Sequence, residues 1–540
     1  MKRICLIIPV YNAYNATKKC LNSVLRNFDF TIGEVVIVDD CSSKKTASFL
    51  HKFTQKYPTK LKLIKNEENQ GWLISCNKAA AETNADIVVF LNSDTEISSD
   101  FCSKIINCFK SDEKIVVASP VSSNSARYFI PQVLPKKIMN IFFDKHEPVY
   151  PNIDNAEGFC FCVRNTFIKQ YGLFDSIYGL GYCEEVDFCY KAYNLGFRCV
   201  LIDNLYVLHQ RHKSFGKMRD KLLSQNSKIF YKKWGDYISD NVEGSIYNPN
   251  PVKLIFGENF SFFSKLLTFL IKARNVFRNG RLLELGRLTS LQIKFMLQSI
   301  KRASKRRVVY TCISGDCDIV PIIQNYYNPD WDYVCFTDNK TLNRLKRFAM
   351  WKIRPLKFDG LDSTRNARWH KTHPSELFPD YDESVWIDGN INILTNYLFL
   401  KIEQSNKDML IPIHYCRSCV YKEANVVKKL KRDCPEIVNK YLSLIENDNF
   451  PKNYGLNETN IIYRRHNVPA IINVMNEWWR IIENHSKRDQ LSLSYVLWKN
   501  DIKIDDISIE NARIDYENFK MYTHNKFESG AGKILSFLFR

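Results

Sequence analysis

The stretch Asp86-Ile-Val-Val-Phe-Leu-Asn-Ser-Asp-Thr-Glu-Ile97 decides the fold of the first half of the chain. Its apolar run, Ile87 to Leu91, has the length and β-branched content of a buried strand. The run ends at Asn92-Ser-Asp94, which puts a carboxylate at the carboxyl edge of the predicted sheet, where open α/β sheets bind ligands. A carboxylate there suits a divalent cation, and a cation suits a diphosphate. The same residues are also typical of a plain polar turn.

The flanking sequence predicts alternating strands and helices. We predict strands at 4–10, 34–40, 60–65 and 87–91, and helices at 16–26, 44–57 and 73–83. This alternation indicates a parallel sheet with right-handed crossovers. Polar residues follow the first, second and fourth strands, so they should meet at one sheet edge. A nucleotide site is the natural explanation of such clustering.

Composition bounds the possible classes of protein. The 540 residues are 45% hydrophobic and 25% charged, which is typical of a globular chain of several domains. The net charge of +19 fits an anionic substrate, an anionic membrane surface or nucleic acid. The seventeen cysteines are scattered, and Cys416 with Cys419 has no second pair at finger spacing, so we expect reduced thiols. The N-terminus runs into a strand too quickly for a signal peptide, and no run of 18 apolar residues occurs, so we expect a cytoplasmic location.

Short motifs follow one another between residues 8 and 209. They are Ile8-Pro-Val-Tyr-Asn12, Val38-Asp-Asp-Cys-Ser-Ser43, Asn69-Gln-Gly71 with Asn77, Leu91-Asn-Ser-Asp-Thr95, Glu157-Gly-Phe-Cys-Phe-Cys-Val-Arg164, Gly172-Leu-Phe-Asp175, Tyr182-Cys-Glu-Glu-Val-Asp-Phe188 and Val207-Leu-His209. In kind and order they resemble the inverting family 2 glycosyltransferases with a GT-A fold, and the rhamnosyltransferase-like branch in particular.

The resemblance implies a nucleotide-sugar donor and a divalent metal, Mn²⁺ or Mg²⁺. It implies that Asp94 binds the metal and that His209 is a further ligand, while Asn92 stands where many members have an Asp. A surface histidine beside His212 is the alternative for His209. The residues implied at the donor site are Pro9, Tyr11, Asp40, Asn69, Gly71, Asn77 and Asn92.

The acidic cluster Glu184-Glu-Val-Asp187 calls for a cation or a function, because three carboxylates in four residues repel one another. Inverting transfer needs one general base to deprotonate the acceptor hydroxyl. The resemblance places that base at Glu185, where the family usually has Asp. We expect Asp187 to orient the acceptor or to cap a helix that begins near Phe188. Glu184 is a further catalytic candidate in the same cluster. The alternative is a helix N-terminus merely enriched in acids.

A basic segment follows the first half. Tyr247-Asn-Pro-Asn-Pro251 marks a boundary, and residues 251–307 hold thirteen Lys or Arg against two Glu, interleaved with Phe and Leu. The pattern predicts basic amphipathic helices. They could lie on an anionic membrane surface or pack on the first domain with a solvated basic face.

The second half repeats the logic of strands that end in carboxylates. We predict strands at 307–314, 332–339 and 383–390, the last ending in Asp388-Gly-Asn390. Gly389 would let the backbone approach a ligand closely. Asp388 and Asn390 could hold a metal. Arg365, Arg368 and Lys371 share a helical face and could meet phosphates.

This half also carries motifs in a fixed order. They are Tyr310-Thr-Cys-Ile-Ser-Gly315, Phe336-Thr-Asp-Asn339, Arg365-Asn-Ala-Arg-Trp-His-Lys371, Trp386-Ile-Asp-Gly-Asn390, His414, Cys419-Val-Tyr-Lys-Glu423, Gly455-Leu-Asn-Glu458 and Ser486-Lys-Arg-Asp-Gln-Leu-Ser492. They resemble the glycosyltransferase-like domain of plant mucilage and pollen proteins, formerly a domain of unknown function. Candidate site residues are Asp338, Arg365, Arg368, Lys371, Asp388, Asn390, His414 and Asp489. For Asp489 an ion-paired helix start beside Arg488 is the alternative.

We therefore predict an α/β protein with two GT-A-like domains of mainly parallel sheet, 1–245 and 308–540, joined by the basic helices of 246–307. It would transfer a sugar with inversion to a glycan or lipid-linked acceptor in bacterial surface polysaccharide synthesis, in the cytoplasm or at the inner face of the plasma membrane. One alternative is a single active domain with a non-catalytic acceptor-binding module. Another is a nucleic-acid-binding protein, but the charge concentrates in the connector and no nucleic-acid-binding signature occurs, so we expect no nucleic acid.

Overall fold

The computed structural model of the protein describes residues 3–125, 127–130, 136–210, 216–241, 249–256, 306–315 and 321–522. These residues form two compact units. The first takes the described residues up to 230 and 249–256, and the second takes 231–241 and those from 306 onward. The predicted basic connector lies almost entirely outside the described residues. The boundaries at 245 and 308 remain predictions.

The first unit is built on an eight-stranded sheet in the order β3-β2-β1-β4-β7-β6-β8-β5. Its strands are β1 (Ile4–Val10), β2 (Gly33–Asp39), β3 (Leu61–Lys65), β4 (Ile87–Leu91), β5 (Thr95–Glu96), β6 (Ile115–Ser122), β7 (Cys160–Arg164) and β8 (Arg198–His209). Strands β1 to β4 pair in parallel, β7 is antiparallel to both neighbours, and β8 is parallel to β6. The strands predicted at 4–10 and 87–91 are confirmed residue for residue, because fully buried apolar runs are the clearest strand signal.

Helices connect these strands and cover the sheet. They are α1 (Tyr14–Asn27), α2 (Lys44–Lys56), α3 (Gly71–Ala81), α4 (Phe101–Ser111), α5 (Lys136–Lys145), α6 (Asn165–Tyr171), α7 (Glu184–Asn194), α8 (Gly216–Asp240) and α9 (Pro251–Phe256). The prediction that the acidic helix begins near Phe188 is wrong. It begins at Glu184, so all three acids lie in its first turn, where the helix dipole favours negative charge.

The second unit has its own eight-stranded sheet, in the order β11-β12-β10-β9-β13-β16-β15-β17, and a two-stranded sheet β14-β18. Its strands are β9 (Arg307–Ile313), β10 (Asp332–Thr337), β11 (Arg347–Phe348), β12 (Trp351–Pro355), β13 (Glu383–Ile387), β14 (Ile391–Ile393), β15 (Met409–Pro412), β16 (Ile461–Arg464), β17 (Ser508–Ile509) and β18 (Phe519–Met521). Strands β12, β10, β9 and β13 are parallel, β16 is antiparallel to both neighbours, and β17 is parallel to β15. This is the pairing pattern of the first sheet, which the sequence indicated only through its strand-end carboxylates.

The helices of the second unit pack around a core that contains Trp478 and Trp479. These helices are α10 (Lys340–Leu345), α11 (Ser363–Thr372), α12 (Pro374–Leu377), α13 (Tyr397–Gln404), α14 (Val420–Lys429), α15 (Pro435–Asn447), α16 (Pro469–Asn484) and α17 (Asp489–Lys499). The predicted fold class, α/β with two mainly parallel sheets, is confirmed. Within the described ranges, no helix is both long and apolar enough to span a bilayer.

Candidate active site in the first unit and a second sheet edge

Asp94 and His209 meet at the carboxyl edge of β4. Strand β5 pairs with the end of β8, which sets Thr95 opposite His209 and brings Asp94 Oδ1 to 3.3 Å from His209 Nε2. The other ring nitrogen, Nδ1, lies 2.9 Å from the carbonyl of Asn124 and must donate to it. A neutral His209 therefore turns the lone pair of Nε2 towards the carboxylate. A lone pair and a carboxylate at this distance suit a shared cation.

The metal expected from the resemblance fits this pair. A carboxylate oxygen and an imidazole nitrogen are accepted ligands of Mn²⁺, and Nδ1 carries the carbonyl contact that usually orients a ligating histidine. Within the described ranges, no three His, Cys, Asp or Glu side chains surround one point. Asp94 and His209 would thus supply two ligands, and the rest would come from the diphosphate and water.

Asp40 organises the turn that precedes α3. One carboxylate oxygen accepts hydrogen bonds from the backbone N–H of Gln70 and from the side chain of Asn66, and the other accepts the N–H of Gly71. Gly71 has φ +83°, and a Cβ there would lie 3.0 Å from the backbone of Leu180. Only glycine combines that backbone conformation with such a close approach.

The other residues predicted at the donor site occupy varied environments. Tyr11 is exposed at the end of β1, and Pro9 is buried within that strand. Asn69 is exposed and accepts the N–H of Gly71. The Asn77 amide is used on both sides by the backbone of Phe174, with distances of 2.8 and 3.2 Å. Asn77 therefore holds the Gly172–Asp175 loop in place.

Asp39 is a residue that the sequence did not single out. It is buried, its Oδ1 accepts the N–H of Ser42, and its Oδ2 has no hydrogen-bond partner within the described part of the chain. A buried carboxylate oxygen without a partner at the end of β2 leaves an acceptor open to water or a ligand. The signal available in the sequence was the pair Asp39-Asp40 at a strand end.

The first turn of α7 holds three carboxylates in three different states. Glu184 is buried with Oε2 unpartnered among the described residues, and burial together with the charge of Glu185 raises its pKa well above the ordinary value. Burial, and then the charge of Glu157, raises the pKa of Glu185 to about 7. Asp187 accepts a hydrogen bond from the Tyr178 hydroxyl at 3.0 Å. Because α7 begins at Glu184, Asp187 lies within its first turn and does not cap it, which corrects one of its two predicted roles.

A strained loop delivers these acids. Tyr182 and Cys183, which precede α7, both have positive φ, 74° and 76°. Neither is glycine, so the loop stores strain that its surroundings must hold. The buried Asn226 of α8 donates its amide to the carbonyls of residues 178, 181 and 182. Asn226 is a positioning residue with no motif in the sequence to reveal it.

The segment Glu157-Gly-Phe159 joins the base candidate to the cation pair. A Cβ on Gly158 would overlap Oε1 of Glu185, so that carboxylate lies directly against the Gly158 backbone. The carbonyl of Phe159 accepts the N–H of Asn92 at 2.9 Å, and its ring stacks on His209 with centroids 5.2 Å apart. Two consecutive residues thus link the two parts of the site, Gly158 through Glu185 and Phe159 through His209.

The second unit gathers four charged candidates into one buried array. Lys371 is fully buried, and its Nζ lies 2.6 Å from Asp489 and 3.4 Å from Asp388. Arg368 Nε lies 3.0 Å from the other oxygen of Asp489, outside hydrogen-bond geometry. Burial would raise the pKa of Asp489, but the charges of Arg368 and Lys371 outweigh it and lower that pKa. Trp386 Nε1 donates to Asp388 at 2.8 Å.

The remaining candidates of the second unit are engaged locally. Asp338 accepts the N–H of Gly315 at 2.7 Å. Arg365 donates to the carbonyls of Ile482 and His485 and to Asp362. The Nδ1 of the buried His414 accepts two backbone N–H groups, and burial lowers its pKa well below the ordinary value.

Residues 5–172 match the model of the glycosyl transferase family 2, and residues 289–524 match the model of the TOD1/MUCI70 glycosyltransferase-like domain. Both resemblances drawn from the motifs are confirmed.

Curated relatives match parts of the chain. The "Probable N-acetylgalactosaminyltransferase 7" of Caenorhabditis elegans is 21% identical over 262 residues, 42% of this chain and 43% of that protein. The "Putative teichuronic acid biosynthesis glycosyltransferase TuaG" of Bacillus subtilis is 32% identical over 97 residues, 18% of this chain and 38% of that protein. The chain thus spans less than half the length of these relatives. Among solved structures, the mannosyltransferase PcManGT from Pyrobaculum calidifontis with GDP-Man and Mn²⁺ has a TM-score of 0.35 at 16% identity, covering 52% of this chain and 80% of that one.

Proposed function

We propose that residues 1–245 form a glycosyltransferase domain that moves a sugar from a nucleotide-sugar to a glycan or lipid-linked acceptor with inversion. The observation that carries the proposal is the dipeptide Gly158-Phe159, in which Gly158 lies against the Glu185 carboxylate and the Phe159 ring stacks on His209 of the Asp94–His209 pair. The family 2 match over residues 5–172 and the Bacillus subtilis relative named for teichuronic acid biosynthesis support it. The setting we propose is bacterial surface polysaccharide synthesis in the cytoplasm, with residues 251–307 against an anionic membrane.

Asp94 and His209 would hold a divalent cation, Mn²⁺ or Mg²⁺. When bound, such a cation neutralises the charge that develops on the departing diphosphate. Asp40 keeps the Gln70–Gly71 turn at the same edge, and the buried Asp39 oxygen is available for a donor group. These residues bind and orient the donor and take no proton.

Glu185 would act as the base. The acceptor oxygen attacks the anomeric carbon, the bond from that carbon to the diphosphate breaks, and the hydroxyl proton passes to Glu185. A pKa of about 7 suits this task, because the carboxylate is partly free at neutral pH and still holds a proton well. Burial and the charge of Glu185 raise the pKa of Glu184 well above the ordinary value, which disfavours it as the base, and Asp187 is committed to Tyr178.

The test is a pair of isosteric variants. Glu185→Gln should lower kcat by about 10²–10⁴-fold while the affinity for the nucleotide-sugar barely changes, because the base faces the acceptor. Glu184→Gln is the matched control, and it should lower kcat far less than Glu185→Gln, because the raised pKa of Glu184 already disfavours its ionised form. An active Glu185→Gln enzyme beside an inactive Glu184→Gln enzyme would move the base by one residue.

We also propose that residues 308–540 form a second transferase-like domain. The match to the glycosyltransferase-like domain model and the repeated sheet order support this. The rival proposal is that these residues form a non-catalytic module that binds the acceptor. Measurements of ligand binding at the second sheet edge test both proposals.

A further inference from the structure

The turns after β4 and β13 correspond atom for atom in their backbone contacts. The N–H of Asn92 donates to Phe159, and the N–H of Asp388 donates to Asn460, each at 2.9 Å and each to the residue just before an antiparallel strand. Two residues later, the carbonyls of Asp94 and Asn390 each accept an N–H at 2.9 Å, from Gln210 and Tyr522.

This register identifies the counterparts of the cation ligands. Thr95 pairs with His209 in the first unit, and Ile391 pairs with Met521 in the second. The pair Asp94–His209 is therefore replaced by Asn390–Met521. A neutral amide and a soft thioether make a poor site for Mn²⁺ or Mg²⁺, which prefer carboxylate and other hard oxygen ligands.

In the second turn the carboxylate, Asp388, is the first of the three residues, whereas Asp94 is the third residue of the first turn. A neighbouring lysine already balances the charge of Asp388. Asp388 Oδ1 lies 3.4 Å from the Lys371 ammonium and accepts the Trp386 N–H. A divalent cation there would have to approach a fixed positive charge, which costs free energy. The lysine provides a resident cation at this edge.

Guanidinium groups add more positive charge. Arg368 interacts electrostatically with Asp388 and with Cys312 near the end of β9, which places it near the same edge. Arg488 interacts electrostatically with Asp489 and with Arg368, and its Nε is a buried donor with no hydrogen-bond partner among the described residues. A buried N–H donor without an acceptor is costly unless a ligand oxygen approaches it, and an anionic oxygen suits a guanidinium best.

Uncharged polar groups around the turn also lack partners. Both amide atoms of Asn460 and Oδ1 of Asn390 are buried and unpartnered within the described ranges, as is Oγ1 of Thr311. A Cβ on Gly389 would lie 3.7 Å from that Oγ1. Donors and acceptors buried in this way are usually satisfied by water or by a hydroxyl-bearing ligand.

We propose that the second unit binds a diphosphate-bearing nucleotide ligand at the carboxyl edge of β9 and β13 without a divalent cation. Arg368 and Arg488 bind the diphosphate, Lys371 holds Asp388 in position, and Asn390 with Asn460 contacts ligand hydroxyls. This site is separate from the proposed first-unit transferase and stands or falls independently of it.

Metal stoichiometry is the first test. Mn²⁺ binding to the full-length protein is counted by electron paramagnetic resonance, for the native chain and for Asp94→Ala/His209→Ala. We expect the double variant to lose all specific Mn²⁺ binding. A Mn²⁺ ion that remains in the double variant and disappears on further change of Asp388→Asn would overturn the proposal.

Ligand binding is the second test. UDP, GDP and inorganic pyrophosphate are titrated calorimetrically into full-length Asp94→Ala/His209→Ala with EDTA present. We expect binding to persist and Arg488→Gln to weaken it by about 10-fold or more, as the loss of a charge-assisted hydrogen bond implies. The control is Arg480→Gln, which removes an exposed arginine of α16. Absence of binding by all three probes, or equal losses in the two arginine variants, would refute the site.

Discussion

The turns at the two sheet edges make the same backbone hydrogen bonds but carry different side chains. After β4 the chain reads Asn92-Ser-Asp94, and after β13 it reads Asp388-Gly-Asn390, so carboxylate and amide exchange positions. In the first unit the carboxylate faces a histidine nitrogen at 3.3 Å, and in the second it faces a lysine ammonium at 3.4 Å. The comparison teaches that a strand-end carboxylate does not by itself specify a metal site. The partner supplied by a distant strand or helix decides its chemistry.

The largest expected effect comes from removing the Asp94 carboxylate of the first unit. Asp94→Ala should abolish sugar transfer and leave the circular dichroism spectrum unchanged, because the side chain is polar and near the surface of the site. EDTA in excess should do the same to the native enzyme. The matched second-unit variant, Asn390→Ala, should leave this transfer intact. Full activity of the native enzyme in EDTA would refute the proposed role of Asp94 as a metal ligand.

The next largest effect should be on the pH dependence of transfer, which we expect to depend on Glu185 of the first unit and not on Asp388 of the second. A pKa raised to about 7 means that Glu185 is protonated, and therefore inactive as a base, below that pH. We expect kcat to fall about tenfold per pH unit below 7. Glu185→Gln should flatten this limb of the profile, whereas Asp388→Asn should not. A limb that survives in Glu185→Gln would belong to another group.

Gly158→Ala should cause much of the loss in kcat expected for Glu185→Gln, although the substitution itself replaces no ionisable residue. The added methyl would overlap the Glu185 carboxylate and displace it. We expect kcat to fall by about 10²-fold, which a small misplacement of a catalytic group can cost. Gly172→Ala changes a glycine with open space around it and tests general damage to the loop by its positive φ. Equal kinetic losses in both variants would argue against a specific contact.

Stability should respond in opposite directions in the two units. Asp489→Asn breaks a buried array with Lys371 and Arg368 and should lower the free energy of unfolding by about 3–5 kcal/mol. The lowered pKa of Asp489 means that this stabilisation is present above its unfolded-state pKa and is lost as pH falls through the acid range. Denaturant titration at pH 7 and at acidic pH measures both. A variant as stable as the native chain would show that the array contributes no net stability.

Glu185→Gln should have the smallest effect and the opposite sign. The raised pKa means that the folded protein holds this proton more tightly than the unfolded chain, so stability is lost as pH rises from the unfolded-state pKa near 4.5 to about 7, and the loss is complete above that pH. Glutamine removes the cost, and we expect a gain on the order of 2 kcal/mol at pH 8 that disappears near pH 4. Urea unfolding at the two pH values provides the check, and a gain of equal size at both would point to a cause other than ionisation.

The sequence alone determined the strands, the order of the motifs and most of the candidate residues. Buried strands such as Ile4–Val10 can be predicted from sequence because a short apolar run of that length is typical of a buried strand. Parallel strands then bring their carboxyl ends to one edge, so Asp40, Asn92 and Asp94 could be grouped before any coordinates were known.

Only the tertiary structure decided what each group does. Asn226, the Gly158 contact and the Lys371–Asp489 pair join residues far apart in the chain, 118 positions in the last case, and no local pattern records them. The opposite partners of Asp94 and Asp388 come from β8 and α11. The physical reason is that ionisation and ligand preference depend on burial and on the nearest charge, and both are properties of the packed fold.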